Sequence, residues 1–475
     1  MEMVTSFARW LSMLLAWAGC VLVLQGCGGG SSGPSTATTA MTTTTTTTAT
    51  TATMTAPHKR GSGSSQIVIV PGWPDLTGKF PLSFGIKTDT MVYASGMQGS
   101  DMKSMKLVPG GAGPETNQTL LNLKALLEAA GSSLEDVVRC SVSLVNLSRD
   151  FKAMNDAYVK FWPKDPPARV AVQVAALAGT ASVEIQCDAA LSGTGRKVVN
   201  VPADFPDPAE EGFPFSYAIS ANGTIYVSGM QGRDMNSGKL VSGGIGAETS
   251  QSLENLVEVL VSAGSDASRV FGCSVALRSI EDFAQMNEAY KAYWPTGASI
   301  GGLPTRVCVQ VADLAGGANV EITCTASGPD MPDEEAPKAV KVPGWPDDPG
   351  FPFSAAVTAG RMAYISGNQG VDMKTGKMVP GGVSKETSQT LEDIRESVEA
   401  AGGMIEDVTS CEVSLRDMKD FAEMNSAYKA FWPEYPPSRV AVQVAALARN
   451  ASVEIKCAAA LPPKAQDTGK KELVV

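Results

Sequence analysis

Residues 169–177 read RVAVQVAAL, and the phrase returns as RVCVQVADL at 306–314 and RVAVQVAAL at 439–447. Working outward, ASGMQGSDMKSMKLVPGG (94–111) returns as VSGMQGRDMNSGKLVSGG (227–244) and ISGNQGVDMKTGKMVPGG (365–382). Each copy opens alike, with VPGWPD at 70–75, VPADFP at 201–206 and VPGWPD at 342–347. The 475-residue chain therefore holds three units, expected at 66–193, 197–327 and 338–462, with a tail at 463–475. About 150 residues per domain gives the same count. A unit this long can bury its own core, so the repeat means tandem domains rather than a solenoid.

Within the first unit, 91–95 reads as a short strand. Glu115–Ala130 is an amphipathic helix with leucines at 120, 121, 123, 126 and 127, stopped by Gly131 as a left-handed cap. Residues 137–145 alternate as a half-buried strand, with Val138, Cys140, Val142 and Leu144 on one face. Asp150 is expected to cap a second helix over 151–162, ended by Pro163, and strands follow at 169–174 and 182–189. The fold class is α+β: three domains, each a mixed sheet with two helices on one face.

The last two strands carry the candidate chemistry. On the first, Arg169, Ala171 and Gln173 share a face, with Val170, Val172 and Val174 turned to the core; on the second, Glu184 and Gln186 oppose Val183, Ile185 and Cys187. Arg169 and Glu184, Arg306 and Glu321, and Arg439 and Glu454 are each 15 residues apart. A turn at 176–177 would bring each pair side by side on one face, with Cβ atoms about 5 Å apart. Two readings stand. One is a cross-strand ion pair on a solvated face, worth a few tenths of a kcal/mol. The other is a substrate-binding pair in a cleft covered by another unit, which the surrounding valines, alanines and glutamines favour.

Composition narrows the chemistry. The single histidine, His58, lies in low-complexity sequence, which argues against histidine-based triads and His-ligated metals. There is no CxxC pair, and the net charge of −11 argues against a nucleic-acid partner. Residues 10–24 (WLSMLLAWAGCVLVL) suit a signal peptide or anchor spanning 1–27, with Cys27 open to lipidation. Residues 28–65 read as a disordered Ser/Thr-rich linker. The protein is expected to be secreted or membrane-anchored, with a cytoplasmic location as the alternative. Cys140 with Cys187, Cys273 with Cys324 and Cys411 with Cys457 can form disulfides or remain small buried residues. Cys308 is left over as a candidate reactive thiol, subject to its burial.

The SG-x-Q-G turn, the LEAAG helix end, DF-x-x-MN-x-AY, PPARVAVQVAAL and VEI together resemble the RidA/YjgF family of reactive-intermediate imine deaminases. The resemblance implies a chorismate-mutase-like fold that trimerises with sheets inward, helices outward and ligand clefts between neighbours. One chain with three units would form its own monomeric pseudo-trimer. The implied reaction is hydrolysis of 2-imino or 2-enamino acids to 2-keto acids and ammonia, with no cofactor and no metal.

By position, the resemblance makes Arg169, Arg306 and Arg439 the carboxylate-binding arginines and Glu184, Glu321 and Glu454 the water-activating glutamates. Asn155, Asn287 and Asn425 match a cleft asparagine, or else bond backbone; Ser95, Ser228 and Ser366 match the SG-turn serine, or else form turns. Leu82, Phe215 and Phe353 stand where a tyrosine is frequent, which implies a shift toward apolar substrate side chains. Gln186, Thr323 and Lys456 replace a second acid, and Lys456 is expected to pair with Glu454 and lower its basicity. The insertion TGASIGGLP (296–304) is expected to re-shape one cleft mouth, so the three sites should be unequal and one or more can be inactive. The alternative function is a non-catalytic module that binds small carboxylates in the same clefts.

Overall fold

The computed structural model describes residues 60–463, apart from 62–64, 77–79, 203–204, 295–299 and 347–349. The leader, most of the Ser/Thr linker, His58 and nearly all of the tail lie outside the described residues. Among the described residues no helix is long and apolar enough to cross a membrane.

Apolar alternation produces three equivalent sheets. In the first lobe the strand order is Gln66–Ile67, Gly85–Lys87, Met91–Ala94, Val183–Ala190, Val137–Leu144, Ala168–Gln173 and Asp313–Leu314. Val137–Leu144 and Ala168–Gln173 run parallel and their other partners antiparallel, so each sheet is mixed. Two helices cover one face of each lobe: α1 (Ala112–Ala130) and α2 (Leu147–Tyr158), α3 (Gly244–Ser262) and α4 (Phe283–Tyr293), α5 (Gly382–Ala400) and α6 (Phe421–Phe431). Leu120, Leu123, Leu126 and Leu127 of α1 are buried against the sheet, and Gly131 ends the helix at φ 81°, where a side chain would be strained. The fold class read from the sequence holds.

Three local expectations need correction. Asn146, not Asp150, caps α2, accepting from the Arg149 amide at 3.0 Å, so the helix starts earlier and ends at Tyr158. A bulge beside Asp188 and Ala189 adds one residue, so Val137 joins the helix-side core while Val138 faces the second lobe. The faces of the arginine strand are also reversed. Ala171 lies in the helix-side core, whereas Val170 and Val172 line an inner cavity of about 210 Å³ among the three sheets.

The larger correction concerns the Arg–Glu pairs. Val137–Leu144 lies between the arginine strand and the glutamate strand. Cys140 is opposite both Arg169 and Cys187, while Glu184 is opposite Ser143. Arg169 and Glu184 are therefore not neighbours. The segment between them makes no hairpin because Ala176–Leu177 leaves its lobe and pairs with Val442 and Gln443 of the third. In the same way Asp313–Leu314 extends the first sheet and Ala446–Leu447 the second. The exchange closes in a ring. Arg60 strengthens the closure from ahead of the first lobe: it donates to the carbonyls of Tyr435 (2.9 Å) and Val408 (2.6 Å) of the third. Arg196 bonds the first lobe in the same manner.

The paired cysteines face each other across adjacent strands and are bridged: Cys140–Cys187, Cys273–Cys324 and Cys411–Cys457. Cys308 is free and buried, and burial pushes its thiol up to about 12, so it is not the reactive thiolate its position suggested. Maleimide labelling should therefore modify none of the seven cysteines beyond residue 56 in the native chain, and only Cys308 after denaturation without reduction. Labelling of all seven in unreduced, denatured protein would show that the bridges are not formed.

Candidate active sites at the lobe boundaries

Each arginine strand ends at a seam with the next lobe, and the backbone is fixed there from both sides. The Arg169 amide donates to the Ser228 hydroxyl (2.8 Å), and the Gly229 amide donates to the Arg169 carbonyl (3.0 Å). Arg306 is held in this way by Ser366 and Gly367, and Arg439 by Ser95 and Gly96. Each serine hydroxyl also donates within its own lobe, to Ser216, Ser354 or Ser83. The serines thus tie one lobe's arginine to the next lobe's turn.

The guanidinium lies on aromatic rings and is buried. Arg169 stands 5.1 Å from the Tyr158 ring, Arg306 4.9 Å from Tyr290 and Arg439 4.8 Å from Tyr428, with Phe151, Phe283 and Phe421 alongside. Asn155 accepts from Arg169 at 2.7 Å and Asn287 from Arg306 at 2.6 Å. The third seam differs: among the described residues Asn425 Oδ1 and the Nε and Nη1 groups of Arg439 are buried without a partner, as is Nε of Arg306. Orphaned buried donors of this kind need a ligand or water to offset their desolvation.

The glutamate in each seam comes from the next lobe. Arg169 acts on Glu321, Arg306 on Glu454 and Arg439 on Glu184, closely enough to favour their charged forms. Among the described residues no ion pair within 4 Å joins any of these couples. The three arginines and three glutamates predicted from sequence do meet, but in the order first with second, second with third, third with first. Burial pushes Glu184 and Glu454 up to about 7, against a hydrogen bond from a glutamine and the nearby arginine. Glu321 is also raised by burial, with Gln231, Arg169 and Arg233 opposing it.

The glutamines were missed as site residues. Gln98, Gln231 and Gln369 donate to Glu184, Glu321 and Glu454 at 2.8, 2.9 and 2.9 Å. Gln98 and Gln231 also donate to Ala178 and Ala315 carbonyls. Their signal was present, since the SG-x-Q-G turn carries glutamine in all three copies. The glycine before it in the turn permits the approach, because a methyl group on Gly96, Gly229 or Gly367 would collide with the carboxylate beside it.

Each seam opens into a cavity, of about 680 Å³ between lobes one and two, 320 Å³ between two and three, and 230 Å³ between three and one. Phe215, Phe353 and Leu82 line the three cavities in that order. Lys456 does not reach Glu454. It turns toward the inner cavity, pairing with Glu412 (3.0 Å) and donating to Ser274 (3.0 Å), so it leaves Glu454 unaffected. The described part of the insertion, 300–304, lines no cleft. Ile300 packs on Phe271, Val357 and Ala359, because the apolar side chain is buried better between lobes than at a mouth.

The family model described as endoribonuclease L-PSP matches residues 76–191, 207–327 and 347–461. The 2-iminobutanoate/2-iminopropanoate deaminase of Mus musculus is 41% identical over 136 residues, 29% of this chain and 94% of that protein. A RutC family protein of Pyrococcus horikoshii is 42% identical over 108 residues, 23% of this chain and 86% of that protein. Among solved structures, RidA from an Antarctic Psychrobacter is 37% identical, covers 28% of this chain and 98% of that chain, and has a TM-score of 0.23.

Burial of the glutamates has a stability consequence with a definite sign. A carboxyl raised from about 4.5 to about 7 costs stability progressively as pH rises through that window, and the full cost is present above it. Glu184→Gln with Glu454→Gln should therefore raise Tm at pH 8 and change it little at pH 5. Equal shifts at both pH values in thermal melts would contradict the burial.

Proposed function

Because the chain belongs to the family described as endoribonuclease L-PSP, in three copies, we propose that it hydrolyses 2-imino acids, or their 2-enamino tautomers, to 2-keto acids and ammonia. The observation that carries this reading is the same in each seam. A buried guanidinium with no carboxylate partner among the described residues faces a buried carboxyl, held by a glutamine, across a cavity. The names of the murine and human relatives point the same way.

The chemistry follows from the groups present. The arginine fork takes the substrate carboxylate with two parallel N–H donors. The glutamate removes a proton from water as the oxygen attacks the imine carbon, giving a carbinolamine. The protonated glutamate returns that proton to the nitrogen, completing the neutral carbinolamine. It then relays the hydroxyl proton to the nitrogen as the C–N bond breaks, so that ammonia leaves, the C=O of a 2-keto acid forms and the carboxylate is regenerated. A carboxyl near 7 exchanges protons with little bias at neutral pH, which suits both steps. The asparagine keeps two arginines aimed. In the third seam the arginine is free to close on the substrate. Cavities of 230–680 Å³ and a net charge of −11 fit a small carboxylate better than an RNA. The bridged cysteine pairs favour an oxidising compartment for this activity.

Glu184→Gln, Glu321→Gln and Glu454→Gln together should lower kcat/KM on freshly generated 2-iminobutanoate by about 10²-fold or more. In the unaltered protein kcat/KM should fall as pH drops below about 7, where Glu184 and Glu454 take up protons. Saturable binding of 2-oxobutanoate without any acceleration of imine hydrolysis would instead select the non-catalytic carboxylate-binding reading.

A further inference from the structure

The three clefts share arginine, glutamate and glutamine but differ at one position of the loop before the glutamate strand. The first two lobes carry Gly179 and Gly316 there, and the third carries Arg449. All three backbones are left-handed, with φ of 79°, 64° and 58°, a conformation glycine adopts freely and arginine only under strain. A strained arginine where its repeats use glycine calls for a gain elsewhere. Its side chain supplies one candidate: Arg449 is exposed and lines the cleft that holds Arg306 and Glu454.

Aromatic rings set its position. Arg306 lies 5.3 Å from the Phe353 ring, Phe353 stacks on Phe351 at 5.2 Å and 6°, and Arg449 lies 4.8 Å from Phe351. Two guanidiniums thus flank a pair of stacked rings along one wall. Among the described residues Arg449 donates no hydrogen bond and pairs with no carboxylate, so its N–H donors remain open to a ligand. The same cleft presents Asn368 where the other two present Met97 and Met230.

The other clefts lack this feature. Arg233, at the first seam, is already engaged by Gln231 Oε1 and the carbonyls of Gly238 and Gly316. The third seam is walled by Leu76, Phe80, Leu82, Met102 and Met105 and contains no second arginine. We propose that the cleft between the second and third lobes selects 2-imino acids whose side chain ends in a second carboxylate. Arg306 receives the carboxylate beside the imine and Arg449 receives the distal one. The inference rests on the deaminase reading and reverses, for this cleft, the apolar preference implied by Phe353.

The test uses the full chain carrying Glu184→Gln and Glu321→Gln, so that only Glu454 remains. Imines are generated in situ from glutamate and from 2-aminobutanoate by an amino-acid oxidase. Arg449→Gly is then added, a change that installs the residue the other lobes already tolerate. The ratio of kcat/KM for the glutamate-derived imine to that for the butanoate-derived imine should fall by about fivefold or more, the scale of one charge-assisted contact. A smaller change overturns the inference while leaving the deaminase reading intact. If neither imine is hydrolysed by this variant or by the unaltered chain, the deaminase reading is what fails. Calorimetric binding of 2-oxoglutarate against 2-oxobutanoate then decides the role of Arg449 by the same fivefold criterion.

Discussion

A serine hydroxyl accepting the amide proton of an arginine in the preceding lobe is the contact on which the rest of the molecule depends. With the glycine amide beside it, that bond fixes both backbone polar groups of each arginine across a seam. The arginine side chain then extends from its own lobe's helix and rings into space bounded by the neighbour's glutamate. No lobe alone contains both groups of a site. The geometry of the candidate site and assembly are therefore one property, and loosening a seam separates the carboxylate from the guanidinium directly.

The seam must also offset a substantial electrostatic cost. Arg169, Arg306, Arg439 and the three glutamates are all buried, and no ion pair neutralises them among the described residues. Unpaired buried charge opposes association. What opposes that cost is the ring of exchanged strands, the apolar clusters between lobes and the covalent links, which raise the local concentration of each partner. The same burial brings the Glu184 and Glu454 carboxyls near neutrality and raises that of Glu321. The unfavourable term in assembly is the useful term in the proposed chemistry.

Periodicity and repetition carried much of this into the sequence. Three copies, two helices per copy, the Gly131 stop and the candidate arginines and glutamates were legible, because each depends on local pattern or on repetition within one chain, whereas the glutamines stood in the repeated turn without being read as part of the site. Strand order was not. Alternation in RVAVQVAAL marks two faces but does not say which is covered by helices and which by sister sheets, and here both are covered. The pairing of Arg169 with Glu321 instead of Glu184 depends on where Ala176–Leu177 goes, a contact 265 to 267 residues away in the chain, at Val442 and Gln443. Lys456 was misplaced for a related reason, since its partner Glu412 lies on an adjacent strand and replaces a serine found in the other copies.

That pair shows what a tandem chain permits. Around a true threefold axis every substitution appears three times, and a glutamate or lysine facing the axis would meet two copies of its own charge. Here Glu412 and Lys456 occur once, where the other lobes have Ser141 and Ser274, and Gln186 and Thr323. Arg139 and Asp188 form a second single-copy pair at 2.7 Å, where the other lobes have Gly272 and Ser410, and Thr325 and Ala458. Burial pushes the Glu412 carboxyl up, but Lys456 and Arg139 more than offset it and hold it below the ordinary range. Each pair is thus stable only because its like-charged copies are missing. Once the axis is freed from threefold repetition, so are the seams, and the sequence differences among the three clefts are the outcome that freedom allows.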